Sequence, residues 1–282
     1  MKTASDQLFE TYLRSHGLNE WDHEPEIAGT TRHPDYRVRL MESEIFFEVK
    51  GFAPPEEIPA VGSFDPYRPI RSKINEAQKQ LHALKGQICG IVLANPHRSF
   101  VFLEPMDIYG AILGNLGITM PFDAEAGAFD SERATQAFLS GGRMIRYNKK
   151  GLAIAPQNTT ISAVCTLGSV EEDSRRFAIR VAKVKRETGQ SGTLESILET
   201  ALETQGTEAG ASLHHLCIQV YENPHAVAPL MEAFGTGPWD ERFGARDGRF
   251  LRVFAGSSLA ALEADELASG VERPDPLGLR RG

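Results

Sequence analysis

Apolar residues in the first hundred positions recur with two spacings, which distinguish helices from strands. Leu8, Phe9, Tyr12 and Leu13 repeat at helical intervals, and Gly17 follows them as a natural stop. The stretches DYRVRL and IFFEVKG alternate apolar and polar residues, and the polar segment MESE lies between them. The continuous apolar run QICGIVLA is typical of a strand buried on both faces.

A second helical pattern lies between IFFEVKG and QICGIVLA. The segment IRSKINEAQKQLHALKG carries apolar residues at a period of 3.6 and ends in glycine. With a short strand near WDHEPEIAG, the first hundred residues read helix, strand, strand, strand, helix, strand. This order predicts an α/β fold with a mixed central sheet.

The rest of the chain divides less clearly. Residues 107–157 are Gly-rich, and DSERATQAFLSGG predicts one helix there. Two later segments have the pattern of strands: TTISAVCTLG and LHHLCIQVYENP. Two others predict helices: SRRFAIRVAKVKRETG and the amphipathic GTLESILETALETQG. We therefore expect a core over residues 1–105, a helical insertion over 106–160, C-terminal strands and helices packing on the core over 161–260, and a loose tail over 261–282.

The composition limits the classes of partner. The 282 residues carry a net charge of −8, so any contact with nucleic acid must come from a local basic surface. Cys89, Cys165 and Cys217 lie in separate apolar runs, which is typical of buried thiols in a reducing compartment. No signal-like segment and no run of about 18 apolar residues is present, so we expect a cytoplasmic protein without a membrane span.

Three charged residues of the stretch HPDYRVRLMESEIFFEVKGF lie on two adjacent predicted strands. Because side chains alternate along a strand, Glu48 and Lys50 share one face, and the opposite face is apolar: Ile45, Phe47 and Val49. If Leu40 pairs with Ile45, then Asp35 lies across from Lys50, and all three charged side chains point to one side of the sheet. A slip of one residue would send Asp35 to the other face.

These residue types suit a divalent cation. Mg²⁺ is commonly held by one or two carboxylates, which Asp35 and Glu48 could supply if their oxygens lie within roughly 8 Å of each other. Two neighbouring carboxylates repel, and a cation relieves that repulsion. Lys50 could orient or deprotonate an attacking water, or offset negative charge on a phosphate.

The spacing of these charged residues resembles the motif of a known family. Pro34-Asp35, a gap of twelve residues and then Glu48-Val49-Lys50 resemble the motif of the PD-(D/E)XK nuclease superfamily, which includes restriction endonucleases and Holliday-junction resolvases. The element order over residues 5 to about 95 is similar to its αβββαβ core. The resemblance implies a restriction-endonuclease-like fold and a Mg²⁺- or Mn²⁺-dependent endonuclease that acts on DNA.

The resemblance also assigns accessory positions. Several members carry an extra acid on the first helix, where Glu10 lies here, and some carry a polar residue on the second helix, where Gln78 lies. The predicted catalytic set is therefore Asp35, Glu48, Lys50, Glu10 and Gln78. Four cations are candidates for contact with nucleic acid: Arg37, Arg39, Arg71 and Lys73.

Other interpretations are compatible with the same residues. The fold could bind nucleic acid or a protein without cutting, or Glu48 and Lys50 could be an ordinary charged pair on a strand. The dense run RRFAIRVAKVKR could line a nucleic-acid groove or form a solvated helix face. RNA as the substrate and a homodimer with two sites are also compatible with the sequence.

Overall fold

The structure is a computed structural model of the chain. It describes residues 2–29, 32–54, 65–97, 99, 101–119, 122–123, 127–129, 135–148, 153–188, 193–203, 214–246 and 249–271.

Six helices and fourteen strands occur within these ranges. The helices are α1 (Ala4–Ser15), α2 (Tyr67–Leu81), α3 (Pro105–Ile112), α4 (Glu172–Thr188), α5 (Leu194–Glu203) and α6 (Ser257–Ser269), and a 3₁₀ turn (His82–Leu84) extends α2. The strands are β1 (Trp21–His23), β2 (Tyr36–Leu40), β3 (Ser43–Gly51), β4 (Ile88–Ala94), β5 (Gly114–Thr119), β6 (Phe122–Asp123), β7 (Ala128–Phe129), β8 (Thr135–Gly141), β9 (Ile145–Tyr147), β10 (Ala153–Pro156), β11 (Ala163–Glu171), β12 (His214–Glu222), β13 (Glu241–Arg246) and β14 (Arg249–Ala255).

Eight of the strands form one mixed sheet in the order β1-β2-β3-β4-β11-β12-β13-β14. The parallel pairs are β3 with β4, β4 with β11, and β12 with β13, and the other neighbours run antiparallel. The predicted α/β fold with a mixed central sheet is therefore confirmed, as is the order of elements up to β4.

The two faces of the sheet carry separate apolar cores. On one face, Phe9, Tyr12 and Leu13 of α1 pack in a cluster that includes the predicted apolar set of β3: Ile45, Phe47 and Val49. On the other face, Ile70 and Ile74 of α2 pack against a cluster with members from β3 and β4: Phe46, Cys89, Ile91 and Leu93. Strand β3 is thus covered on both sides, so any polar group on it is partly or fully removed from water.

The β2–β3 hairpin has a different register from the predicted one. Leu40 pairs with Ser43 rather than with Ile45, because the hairpin closes through a tight turn in which Met41 has φ of 55°. The predicted four-residue turn MESE is too long by two residues, so the prediction for this pairing is wrong.

The shift of two residues has a favourable effect on the candidate site. Because side chains alternate with a period of two, a shift of two leaves every side chain on its predicted face. Tyr36 pairs with Phe47, and Asp35, directly before Tyr36, therefore lies level with Glu48 rather than with Lys50.

The insertion is mostly extended rather than helical. The segment predicted as a helix, DSERATQAFLSGG, contains β8, which pairs with β5, and its first residues lie outside the described ranges. Two further ladders, β6 with β7 and β9 with β10, accompany it, and α3 at the start is the only helix in the described part of residues 106–160. Tertiary pairing here overrides a weak local pattern.

The C-terminal part confirms α4, α5, β11 and β12 as predicted, but the predicted loose tail is wrong for its first part. Helix α6 spans the beginning of that segment and ends at Gly270, which adopts φ of 76°. Leu259 and Leu262 are buried, and Glu266 of α6 forms a two-point ion pair with Arg175 of α4. Residues 272–282 lie outside the described ranges.

The three cysteines are free and buried in β4, β11 and β12, as predicted. Burial raises the pKa of each thiol to about 12, so these groups stay protonated near neutral pH. We therefore assign them to the core of the sheet and not to any chemistry.

Candidate functional site

Asp35, Glu48 and Lys50 converge at the carboxyl end of β3. The Nζ atom of Lys50 lies 2.5 Å from Oε1 of Glu48 and 3.8 Å from Oδ2 of Asp35. Because one nitrogen contacts both carboxylates, their two oxygens lie no more than 6.3 Å apart, the sum of 2.5 Å and 3.8 Å. This separation is less than the roughly 8 Å that two carboxylates can span when they share one ion.

Backbone geometry holds Asp35 in place beside Glu48. The Val49 N–H donates to Oδ2 of Asp35 at 2.7 Å, and the Glu24 N–H donates to the Asp35 carbonyl at 2.8 Å. Asp35 lies just outside β2 and thus links the residue that follows β1 to β3. Its carboxylate is directed at the β3 backbone by the fold and not by a flexible loop.

Glu48 is the most deeply buried member of the group, with 1% of its side chain exposed. Lys50 contacts its Oε1, whereas Oε2 is buried and has no hydrogen-bond partner among the described residues. An unsatisfied buried carboxylate oxygen costs free energy, since nothing replaces the water that it loses on folding. Such an atom marks a place where a cation or a donor group would be stabilising.

The protonation behaviour of the two acids follows from this burial. Burial, and after it the charge of Asp35, raises the pKa of Glu48 to about 7 despite the hydrogen bond from Lys50. Burial also raises the pKa of Asp35, while Lys50 and the Val49 N–H oppose the shift. The fold therefore gathers two acids whose negative charge a proton or a cation would neutralise.

The ammonium of Lys50 supplies part of that neutralisation. Burial alone would lower its pKa, but the carboxylates of Glu48 and Asp35 outweigh burial and raise it. Lys50 is therefore a cation at neutral pH in this arrangement, and it occupies one oxygen of Glu48.

The donors present fit a hard divalent cation. Carboxylate oxygens are the preferred ligands of Mg²⁺, which commonly takes only one or two of them and keeps several waters. Asp35 and Glu48 provide two, and Oε2 of Glu48 is unpartnered within the described ranges. No group of three or more His, Cys, Asp or Glu side chains in the described part of the chain is placed to hold a metal ion.

The first helix places Glu10 in a different cluster. Its carboxylate accepts hydrogen bonds from Tyr36 Oη at 3.0 Å and from Arg14 at 2.8 Å, and it pairs with Lys2. These partners do not include Asp35, Glu48 or Lys50, so the structure does not bring Glu10 into their contacts.

A different acid of α1, Asp6, influences Asp35 through its charge. Its charge contributes to the raised pKa of Asp35, after burial and the opposing effects of Lys50 and Val49. Asp6 also closes the capping box of α1 through hydrogen bonds from Thr3. The sequence gives no signal for a second role, because the capping pattern alone accounts for an acid at this position.

The remaining candidate residues on α2 lie on two different flanks of the helix. Residues three or four apart share a flank of a helix, which places Lys73 with Glu76, and the charge of Glu76 contributes to the raised pKa of Lys50. Gln78 and Arg71 are seven residues apart and lie on another flank, half-buried and buried respectively. Gln78 takes no part in the hydrogen bonds that join Asp35, Glu48 and Lys50.

Arg71 is buried and links secondary-structure elements through hydrogen bonds. Its guanidinium donates to the Gly110 carbonyl at 2.7 Å and to Oδ1 of Asn115 at 2.5 Å, so it joins α2 to α3 and β5. Only 7% of the residue is exposed. A burial of this degree leaves little of the side chain for contact with a nucleic acid.

Arg37 and Arg39 are paired with acids. Arg37 donates to Asp22 at 2.6 Å and 2.9 Å, and Arg39 contacts the same carboxylate at 3.2 Å; both also approach Glu44. These pairs lie across β1, β2 and β3 on the sheet surface. Their positive charge is therefore largely balanced within the protein.

The dense basic run lies on α4. Arg175 pairs with Glu266 of α6, Arg176 pairs with Glu172, and Arg186 donates to the Ala268 carbonyl. Three cations of the run that could have lined a groove or formed a solvated helix face therefore make contacts within α4 or with α6.

Comparison with known proteins yields no relative: no family model, no curated protein and no solved structure matches this chain. None of the helices in the described ranges combines the length and apolar character needed to cross a bilayer.

Proposed function

We propose that the protein is a Mg²⁺- or Mn²⁺-dependent endonuclease of the PD-(D/E)XK type, acting on DNA. One observation carries the proposal: Asp35, Glu48 and Lys50 meet at the end of one strand, and Oε2 of Glu48 is buried without a partner in the described ranges. An ordinary charged strand face would leave both oxygens of Glu48 hydrated.

The arrangement of elements also supports the proposal. Helix α1, strands β1, β2 and β3, helix α2 and strand β4 follow one another in the αβββαβ order of that superfamily. The acids lie at the β2–β3 hairpin, where the superfamily motif places them. The restriction-endonuclease-like core is accordingly part of this proposal.

In the proposed cleavage of DNA, Asp35 and Glu48 would hold the cation through their carboxylate oxygens. When bound, the cation supplies Lewis acidity toward water and phosphate. Lys50 would direct its ammonium at the attacking water or at the scissile phosphate, since its Nζ already lies between the two acids. The Val49 N–H fixes the Asp35 carboxylate, so that one ligand is oriented before substrate arrives.

A second candidate is a fold of the same type that binds nucleic acid or a protein without cutting. The pairing of Arg37 and Arg39 with acids and the burial of Arg71 favour it, because these side chains offer a phosphate backbone little free charge. The net charge of −8 points the same way. The intact Asp-Glu-Lys group favours the active enzyme.

A nicking assay separates the two. Purified protein should convert supercoiled plasmid to nicked or linear forms with Mg²⁺ or Mn²⁺ and lose this activity in EDTA. Asp35→Ala and Lys50→Ala should each lower the rate at least about a hundredfold, as expected for groups that act on the reacting atoms. Glu199→Gln, on the exposed surface of α5, is the control and should cut as the wild type does.

Circular dichroism and thermal unfolding must show that the variants are folded. Equal cutting by the wild type, Asp35→Ala and Lys50→Ala would identify a contaminant and overturn the proposal. Binding of DNA without cutting under any of these conditions would favour the second candidate.

A further inference from the structure

We infer that Glu24 is a positioning residue for Asp35: its left-handed backbone, directly before Pro25, fixes this proposed metal ligand before a cation binds. The inference rests on the proposed function and assigns it a residue that lies outside the Asp-Glu-Lys motif.

Glu24 has an unusual backbone conformation. Its φ of 49° lies in the left-handed region, which residues with a Cβ atom rarely adopt. Glu24 also precedes Pro25, and the residue before a proline favours extended backbone. Strained residues of this kind persist only where the surrounding structure holds them, and they cluster at functional sites. The contact of Glu24 with the candidate site supplies a reason for its conformation.

The backbone of Glu24 bonds to the residue that carries the first carboxylate of the site. Strand β1 ends at His23 and β2 begins at Tyr36, so Glu24 and Asp35 both lie just beyond the paired strands. The Glu24 N–H donates to the Asp35 carbonyl at 2.8 Å, which extends the pairing by one bond. A left-handed residue does not continue a strand, so the chain leaves the sheet directly after this bond.

Asp35 is thereby held at both of its ends. Its carbonyl accepts the Glu24 N–H, and its carboxylate accepts the Val49 N–H at 2.7 Å. A carboxylate held in this way loses less conformational freedom when it binds a cation. This pre-organisation favours both cation binding and reaction.

A second contact closes the loop between Glu24 and Asp35. Nδ1 of His33 lies 3.2 Å from the Pro25 carbonyl, and since a carbonyl only accepts, this nitrogen carries the proton and donates. His33 lies two residues before Asp35, and Pro25 is buried. The contact therefore joins the two ends of the loop next to the Glu24–Asp35 bond and supports the turn at Glu24.

The role of Glu24 lies in its backbone and not in its carboxylate, which belongs to an exposed side chain. Alanine keeps a Cβ atom and with it the restriction on φ, whereas glycine removes the restriction and allows many more conformations. Glu24→Ala should therefore preserve the position of Asp35, and Glu24→Gly should loosen it.

Mn²⁺ binding to the full chain, without nucleic acid, tests this by calorimetry. Met41→Gly is the matched control, because Met41 also has a left-handed φ, of 55°, but follows β2 at the end remote from Asp35. We expect Glu24→Gly to weaken Mn²⁺ binding about two- to fivefold, the range for the loss of one restraint on the backbone. Glu24→Ala and Met41→Gly should bind Mn²⁺ as the wild type does.

His33 provides an independent test of the same loop. His33→Ala removes the donor to the Pro25 carbonyl and should weaken Mn²⁺ binding about twofold, as expected for one partly exposed hydrogen bond. His33→Asn offers an amide N–H in a similar place and should restore most of the affinity.

Stability and hydrogen exchange separate positioning from a general loss of structure. Because Glu24→Gly relieves the strain of a left-handed residue, its unfolding temperature should not fall, although its affinity for Mn²⁺ does. Protection of the residue 24 amide against exchange should be lower in Glu24→Gly and in His33→Ala than in the wild type, and unchanged in Met41→Gly.

Mn²⁺ binding by the wild type that Glu24→Gly leaves unchanged overturns the inference and leaves the proposed function standing. An equal loss in Met41→Gly would show a general effect of glycine at the hairpin, and an equal loss in Glu24→Ala would assign the effect to the carboxylate; either result also overturns it. Absence of Mn²⁺ binding by the wild type removes the metal site, and with it both the proposed function and this inference.

Discussion

Lys50 contacts only one of the two oxygens of Glu48: Oε1 lies 2.5 Å from Nζ, whereas Oε2 is buried without a partner in the described ranges. The carboxylate is therefore half satisfied. Since the missing stabilisation is electrostatic, the site should respond strongly to protons and to cations.

Glu48 should make the cation-free protein less stable as the pH rises. Its pKa in the folded protein is raised to about 7 from an ordinary 4.5, so the folded state binds the proton more tightly than the unfolded state does. The stability gained from the protonated form is complete below pH 4.5 and is lost as the pH rises through 7. In EDTA, Glu48→Gln should therefore gain stability relative to the wild type over this range, on the order of 3 kcal/mol.

Urea unfolding at several pH values measures this difference. Glu199→Gln, which removes an exposed carboxylate of α5, should show no comparable change relative to the wild type. A stability difference between Glu48→Gln and the wild type that does not vary between pH 4.5 and 8 would contradict the raised pKa.

Glu10 should behave in the opposite way. Burial raises its pKa, but hydrogen bonds from Lys2, Tyr36 and Arg14 outweigh burial and lower it. Its contribution to stability is therefore present above pH 4.5 and is lost as the pH falls through the lowered value. Glu10→Gln should cost about 1–2 kcal/mol at pH 7 and less near pH 3, as expected for the loss of charged hydrogen bonds.

Chemical denaturation at the two pH values tests the assignment. Tyr36→Phe removes one of the donors to Glu10 and should cost less than Glu10→Gln at pH 7. If Glu10→Gln were as stable as the wild type at pH 7, the cluster around Glu10 would not have the role assigned to it.

Two glycines of the central sheet should differ in their tolerance of a side chain. An added Cβ at Gly90 of β4 would lie 2.4 Å from Cε1 of the buried Phe47, whereas an added Cβ at Gly168 of β11 meets nothing within 4 Å. Gly90→Ala should therefore destabilise the protein by about 1–3 kcal/mol through overpacking. Gly168→Ala should be neutral or slightly stabilising, because glycine is costly inside a strand.

The midpoints of denaturant unfolding compare the two variants directly. Equal midpoints for Gly90→Ala and Gly168→Ala would show that Phe47 can move aside, and the tight packing of β3 on β4 would have to be reconsidered.

The parts of the fold that the sequence predicted are those with a strong local pattern. Local spacing predicts directly which face of an element is buried, as in the helical spacing of Phe9 and Leu13 and the alternation of Ile45, Phe47 and Val49. The register of the hairpin depends on the turn at Met41, a residue with no marked preference for φ of 55°, so the local pattern predicts the wrong pairing. Helix α6 is rich in the helix formers Ala, Leu and Glu, but the Pro- and Gly-containing residues that follow it give the whole segment the composition of a loose tail.

The residues of the candidate site also divide into those that a local pattern predicts and those that depend on tertiary packing. Asp35, Glu48 and Lys50 were placed together by strand alternation, which is a local property. The burial of Arg71 depends on how α2 packs on α3 and β5, and no short-range sequence pattern predicts this packing. Arg37 and Arg39 pair with Asp22, which lies on a strand of only three residues. So short a strand has no clear sequence pattern, and the sequence therefore does not predict that Asp22 lies beside the two arginines.

The position of β11 beside β4 has a consequence for how the protein is made. Strand β4 consists almost wholly of apolar residues, and its second edge pairs with a strand that begins only at Ala163. During translation the ribosome must deliver the whole of residues 95–162 before that edge can be covered. Until then the nascent chain presents an unpaired apolar edge, which is a target for chaperones and a starting point for aggregation.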